Sequence, residues 1–173
     1  MILAFPVQRT CWMSVSSKQL SFTTLVLGLG NSLRADDGAG PAAVASLSML
    51  DIPQQVDLLD GGTAGLDTLL LFEGYRRVII IDAAEMGLPP GQWRRFTPDT
   101  AVLAQNENAF AGTLHSAGLA EALALAKALR ALPPELIIYG IQPQQLTWRE
   151  GLTTEIEAAL PGLVQAVRDE LAR

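Results

Sequence analysis

Several residue types are scarce in this chain, and each shortage closes off a class of protein. Among 173 residues there is one cysteine, Cys11, so no internal disulfide can form and no CxxC or zinc-ribbon spacing exists; a reducing, cytoplasmic compartment is expected. Charge is sparse at 17% of residues, against about 25% in an average globular chain. Basic charge is sparser still, with 12 Lys and Arg against 18 Asp and Glu, a net charge of −6, and no basic run longer than Arg76-Arg77 or Arg94-Arg95. A nucleic-acid partner is therefore not expected. Gly, Pro or a charged residue interrupts every apolar stretch short of the roughly 18 residues a membrane span needs, so no membrane role is expected either. The apolar opening Met1 to Phe5 stops at Pro6 without a preceding basic region, which does not fit a secretory signal.

Catalytic signatures are missing as well. There is no GxSxG elbow to expose a serine, no HExxH zinc motif, and no Gly-Lys-Ser/Thr to make a phosphate loop. Gly28-Leu29-Gly30 begins like a dinucleotide fingerprint, but Leu33 replaces its third glycine, so these glycines are read as a tight loop. Cys11 falls in residues 1–22, which show no periodicity and are read as an extension outside the core.

What remains is a pattern of short apolar runs alternating with amphipathic stretches from Thr23 onward. Leu25 to Leu27, Val56 to Leu59, Val78 to Ile81 and Leu136 to Tyr139 read as strands. The third is four consecutive β-branched residues, continuous rather than alternating, as in a central strand covered on both faces. Gln92 to Phe96 reads as an edge strand of undetermined direction. Helices are expected from about Gly38 to Leu50, over Leu66 to Phe72, from about Leu114 to Leu132 with a stripe of Leu119, Leu123, Ala126 and Leu129/Arg130, and from Thr153 to Ala172 with a break near Pro161; residues 105–112 read as a loop. The order predicts an α/β fold, a three-layer α/β/α sandwich with a mostly parallel central sheet, formed by residues 23–173 as one domain.

Ligands of open parallel sheets bind beyond the carboxyl ends of the strands. Applied here, that rule gathers Asp36 and Asp37 after the first strand, Asp60 after the second, Asp82 after the third, and His115, the only histidine, if its helix begins at the same edge. Each residue has a structural explanation: capping for Asp36 or Asp37, turn formation for Asp60 and Asp82, a helix start for His115. Adjacent side chains diverge, however, so one of Asp36 and Asp37 can cap while the other stays available. Two carboxylates and an imidazole at the rim, where they would contribute little packing, suit Ni, Zn, Mn or Fe with water completing the shell.

The ordered motifs Gly28-Leu29-Gly30-Asn31-Ser32-Leu33-Arg34-Ala35-Asp36-Asp37-Gly38, Asp60-Gly61-Gly62-Thr63-Ala64-Gly65, Ile81-Asp82-Ala83, the His115 segment and Gly140-Ile141-Gln142-Pro143 together resemble the hydrogenase maturation proteases. These endopeptidases trim the large subunit of nickel–iron hydrogenases. The resemblance covers about residues 23–172 and implies that Asp37, Asp82 and His115 bind nickel, with Zn or Cd able to substitute in vitro, and that the same three residues carry the catalysis. The family often has Glu at the position of Asp37, and the shorter acid would draw a metal closer to the backbone. It further implies that Asp60 recognises the substrate's C-terminal tail, that the partner is a hydrogenase large-subunit precursor, and that the nickel is supplied by that substrate. Two other functions fit the same residues: a non-catalytic nickel-dependent binding module or chaperone for the precursor, and a small-molecule hydrolase on the same sandwich.

Overall fold

The strand runs are apolar on both faces because both faces are covered by helices. A computed structural model describes residues 24–97 and 114–173. Its strands are β1 (Thr24–Leu29), β2 (Val56–Gly62), β3 (Arg77–Ala83), β4 (Trp93–Phe96) and β5 (Glu135–Ile141), and its α-helices are α1 (Ala39–Leu47), α2 (Thr68–Leu71), α3 (Leu114–Leu129) and α4 (Thr154–Leu171). They form one five-stranded sheet in the order β2-β1-β3-β5-β4. The three pairings among β2, β1, β3 and β5 are parallel, whereas β4 runs antiparallel to β5 at the edge. The expected α/β sandwich is therefore the observed fold.

Alternate residues of the central strands point into two separate cores. Val26, Ile79, Ile81, Ile137 and Ile141 pack against Ala43 and Leu47 of α1 and Ile156, Leu163 and Val167 of α4. Leu25, Leu27, Val78, Ile80 and Ile138 face the other way, toward Phe72 and toward Leu119 and Leu123 of α3. Burying such side chains fully contributes about 1.5–3 kcal/mol each, an upper figure because the unfolded chain already buries part of this surface.

The helices depart from the sequence expectation. The first, α1, ends at Leu47 rather than near Leu50. Leu119, Leu123 and Ala126 of the α3 stripe are buried, but Leu129 is 64% exposed. The helix stops there, not at Leu132, because Arg130 takes a left-handed φ of 55° and Ala131 N–H donates to the Ala126 carbonyl at 2.8 Å, the bond that closes a helix C-terminus. Nor does Pro161 interrupt the last helix, which is continuous from Thr154 to Leu171. Pro161 and Glu157, whose carbonyl loses its intrahelical donor, are both exposed, while buried Ile156, Leu163 and Val167 hold both halves on the sheet. The extension read at residues 1–22, the loop at 105–112 and Cys11 lie outside the described residues.

At the amino edge of the sheet, a buried carboxylate ties the layers together. Glu170 of α4, 3% exposed, accepts bonds from Arg77 of β3 at 2.8 Å, Arg95 of β4 at 2.8 Å and the Tyr139 hydroxyl of β5 at 3.1 Å. The hydrogen bond from Arg95 is the main reason its carboxyl sits below the usual carboxylate range, against the opposing effect of burial. A depressed folded-state value means that this contribution is present above the unfolded carboxyl value and is lost as pH falls through the folded one. Glu170→Gln should therefore cost about 3 kcal/mol at neutral pH and, in denaturant titrations from pH 7 to pH 3, should lose stability less steeply than the unaltered protein.

Candidate active site

The chain leaves β1 for β2 on one side and places β3 on the other, so the crevice between β1 and β3 is the switch point of the sheet, where ligands of such folds bind. Two glycines let α1 press into that crevice. A Cβ on Gly40 would lie 2.2 Å from the Leu29 carbonyl oxygen and 2.5 Å from that of Ile81, and one on Gly28 would lie 2.4 Å from the Gly40 oxygen. Any side chain at either position would lift the helix away. With the helix down, the 3₁₀ turn Ala35–Gly38 that precedes it carries Asp37 over the carboxyl ends of both strands, while Asp82 reaches the same place from the penultimate position of β3.

Both carboxylates are fully buried, at 0% exposure. This corrects the expectation of rim positions that contribute little packing, since both side chains are enclosed at the carboxyl edge. No side chain among the described residues donates a hydrogen bond to Asp82 Oδ1 or Oδ2. Burial first, and the Asp37 charge second, push its carboxyl up to about 8, with the Ala83 N–H pulling weakly the other way. Asp37 is better supplied, its Oδ2 accepting the Asn31 N–H at 3.1 Å and lying 3.7 Å from Arg34 Nη1.

The neighbouring Asp36 does something else. It is equally buried and accepts the backbone N–H of Gln144 at 2.9 Å, of Gln145 at 2.9 Å and of Thr153 at 2.6 Å, plus the Thr153 hydroxyl at 3.0 Å. Thr153 stands at the N-terminal boundary position of α4, so Asp36 anchors the start of a distant helix and the segment before it rather than capping its own helix. The adjacent acids thus make different bonds, and those of Asp36 run across the fold. Gln142 was placed in a motif without a role. Its Oε1 accepts the N–H groups of Met86 at 2.6 Å and Leu88 at 3.2 Å, fastening the segment that follows Asp82. The signal for it was a polar amide directly after an apolar strand.

Asp60 stands apart from the pair. It is exposed, its Oδ1 accepts the Gly62 N–H at 2.9 Å, and it borders an open cleft of about 350 Å³ that Pro41, Ala42 and Leu152 also line. The turn explanation and a recognition role are compatible here, since the second carboxylate oxygen is not used by that bond. His115 lies in the first turn of α3. Because α3 leads back into β5, which runs parallel to β3, its first turn is at the carboxyl edge, and the helix packs against the turn Gly65–Asp67 that follows β2. The His115 and Ser116 side chains lie outside the described residues. Among the described residues, no group of three His, Cys, Asp or Glu is placed to hold a metal ion.

A family model for the hydrogenase maturation proteases, that of HycI, matches residues 42–170. The chain belongs to this family. The hydrogenase expression/formation protein HupD of Thiocapsa roseopersicina is 36% identical over 151 residues, 82% of this chain and 67% of that one. HoxM of Azotobacter vinelandii is 34% identical over 160 residues, covering 84% and 76%. Among solved structures, the hydrogenase maturating endopeptidase HybD from E. coli superposes with a TM-score of 0.76 at 31% identity over 86% of this chain and 91% of that one. The chain is an enzyme, a peptide-bond hydrolase, and the reading as a non-catalytic binding module is set aside. Among the described residues no helix is long and apolar enough to cross a membrane.

The raised value at Asp82 has a stability consequence of definite sign. The folded protein keeps a proton that the unfolded chain releases, so stability falls as pH rises from about 4 to about 8, by at most about 1.4 kcal/mol per pH unit. Asp82→Asn removes the titration. Its melting temperature should match the unaltered protein near pH 4.5 and exceed it by a widening margin toward pH 8; a constant offset would show that Asp82 titrates normally.

Proposed function

We propose that this enzyme, acting in the cytoplasm, removes the C-terminal extension of a nickel–iron hydrogenase large-subunit precursor after nickel insertion. On this reading it recognises the substrate's nickel through Asp37, Asp82 and His115. The observation that carries the reading is Asp82, a fully buried carboxylate with no side-chain donor or cation on either oxygen among the described residues, set within reach of the charge of a second buried carboxylate. Such a pair is costly unless a proton or a cation satisfies it. A divalent ion suits the donor set, and His115 comes from the same sheet edge to complete it.

The protein's own residues then have separable tasks. Asp82 holds a proton in the metal-free enzyme and gives it up when the cation arrives, so recognition releases a proton. Asp36 and Gln142 keep the two segments that carry the pair in register. Asp60 waits at the neighbouring cleft, where it would receive the tail of the precursor. Placing the precursor's metal on this crevice brings the bond to be cut against the site, so positioning supplies a large part of the rate. Zinc or cadmium, with similar tolerance for oxygen and nitrogen donors, would occupy the same ligands in vitro.

The test is intact-mass measurement of a purified precursor incubated with the enzyme, in nickel-loaded and nickel-free forms. Only the loaded precursor should lose a C-terminal peptide. Asp82→Asn and His115→Ala should abolish the loss with the fold retained, and Asp37→Glu should keep part of it. Cleavage of the nickel-free precursor at the same rate, or an Asp82→Asn enzyme with unchanged rate, would rule the reading out.

A further inference from the structure

The resemblance assigns no role to Arg34, yet its guanidinium is fixed beside Asp37, one of the two carboxylates. Its side chain is 14% exposed, with Nη1 3.7 Å from Asp37 Oδ2. Two other contacts hold it there independently of Asp37. Nη2 donates to the Leu146 carbonyl of the segment 142–153 at 3.2 Å, and Cζ lies 5.7 Å from the centre of the Trp148 ring. The backbone adds to the tether: Arg34 bridges to Arg149 as an isolated parallel pair, and Ala35 N–H donates to the Arg149 carbonyl at 2.7 Å.

At 3.7 Å the approach to Asp37 is an ion pair without the short geometry of a strong hydrogen bond. The cation is thus held by the segment 142–153 and directed at Asp37, and it would still face that carboxylate if a metal ion were bound there. Its Nε is buried with no acceptor among the described residues, so the guanidinium is not pulled away toward another partner. A permanent positive charge at this distance opposes any second cation entering the pair.

We propose that Arg34 is a specificity-determining residue that weakens the Asp37–Asp82 pair for free divalent ions, reserving it for a metal that arrives fixed in a substrate. This rests on the reading of the pair as a metal-recognition site. A precursor contributes contacts of its own, at the cleft beside Asp60 and across the segment 142–153, which offset the repulsion; a bare ion has none. The exposed face of Trp148, 77% accessible, lies on the outer side of the same guanidinium, where a docked protein would cover it.

The experiment is calorimetric titration of the full-length protein with zinc chloride alone, no precursor being present. Arg34→Gln keeps a donor for the Leu146 carbonyl and loses the charge; it should bind zinc about tenfold more tightly than the unaltered protein, as expected for removing a like charge from a partly screened site. Arg34→Lys keeps the charge and should bind as weakly as the unaltered protein, which separates charge from packing. Adding Asp82→Asn to Arg34→Gln should abolish the gain. If Arg34→Gln binds zinc no more tightly while Asp82→Asn still removes binding, the role of Arg34 is wrong and the metal site stands. If Arg34→Gln binds zinc equally well with and without Asp82→Asn, the underlying site reading is wrong. Absence of measurable binding to Arg34→Gln also overturns the role of Arg34.

Discussion

The backbone contact between the start of α1 and the ends of β1 and β3 is the constraint on which the rest of the site depends. Gly40 sits where a Cβ would collide with carbonyl oxygens of both strands, and Gly28 leaves room for Gly40 in return. Because the helix is seated that deeply, the turn before it crosses the switch point of the sheet, and Asp37 arrives beside Asp82 in a space closed to water. Burial of two acids at one point is energetically unfavourable, and the fold sustains it with the apolar layers on either side of the sheet. In this sense the site is a local conflict that the cores offset, which is common where chemistry is done.

A second level of organisation joins the site to the chain that follows β5. The segment 142–153 has little regular structure of its own, yet Asp36 gathers three of its backbone N–H groups and one hydroxyl, and Arg34 adds a carbonyl and an aromatic contact. These bonds reach across more than a hundred residues of sequence and join the first motif to the start of the last helix. The same four-residue stretch, Arg34 to Asp37, therefore contains an anchor, a cation and a second buried carboxylate. At the opposite edge of the sheet, Glu170 performs a comparable fastening of α4 to β3, β4 and β5, leaving the carboxyl edge to the site.

Much of this was legible in the sequence because its signals are local. Val78 to Ile81 could be read as a central strand from its continuous β-branched run, and the position of Asp82 followed from where that run ends. The placement of Asp37, Asp60 and Asp82 at one edge followed from the parallel connectivity alone, whereas that of His115 depended on where its helix begins. What could not be read depends on partners distant in the chain. The difference between Asp36 and Asp37 is decided by residues 144–153, and the burial of Asp82 by the packing around it; neither leaves a periodic trace. Leu129 misled because a helical stripe says which face is apolar but not where the sheet beneath it ends. Pro161 misled because a proline breaks a helix only if packing on both sides fails to hold it.

The central claim is that Asp82 is a buried acid held for a cation. Carbon NMR of the side-chain carboxyl in protein labelled at aspartate reads this directly, with Asp82→Asn giving the assignment. The account predicts that the resonance titrates well above the ordinary carboxyl range, near the value of about 8, and that adding zinc at pH 6.5 converts it to the ionised form. A resonance that titrates near 4, as a solvated aspartate does, and does not respond to zinc would contradict the account.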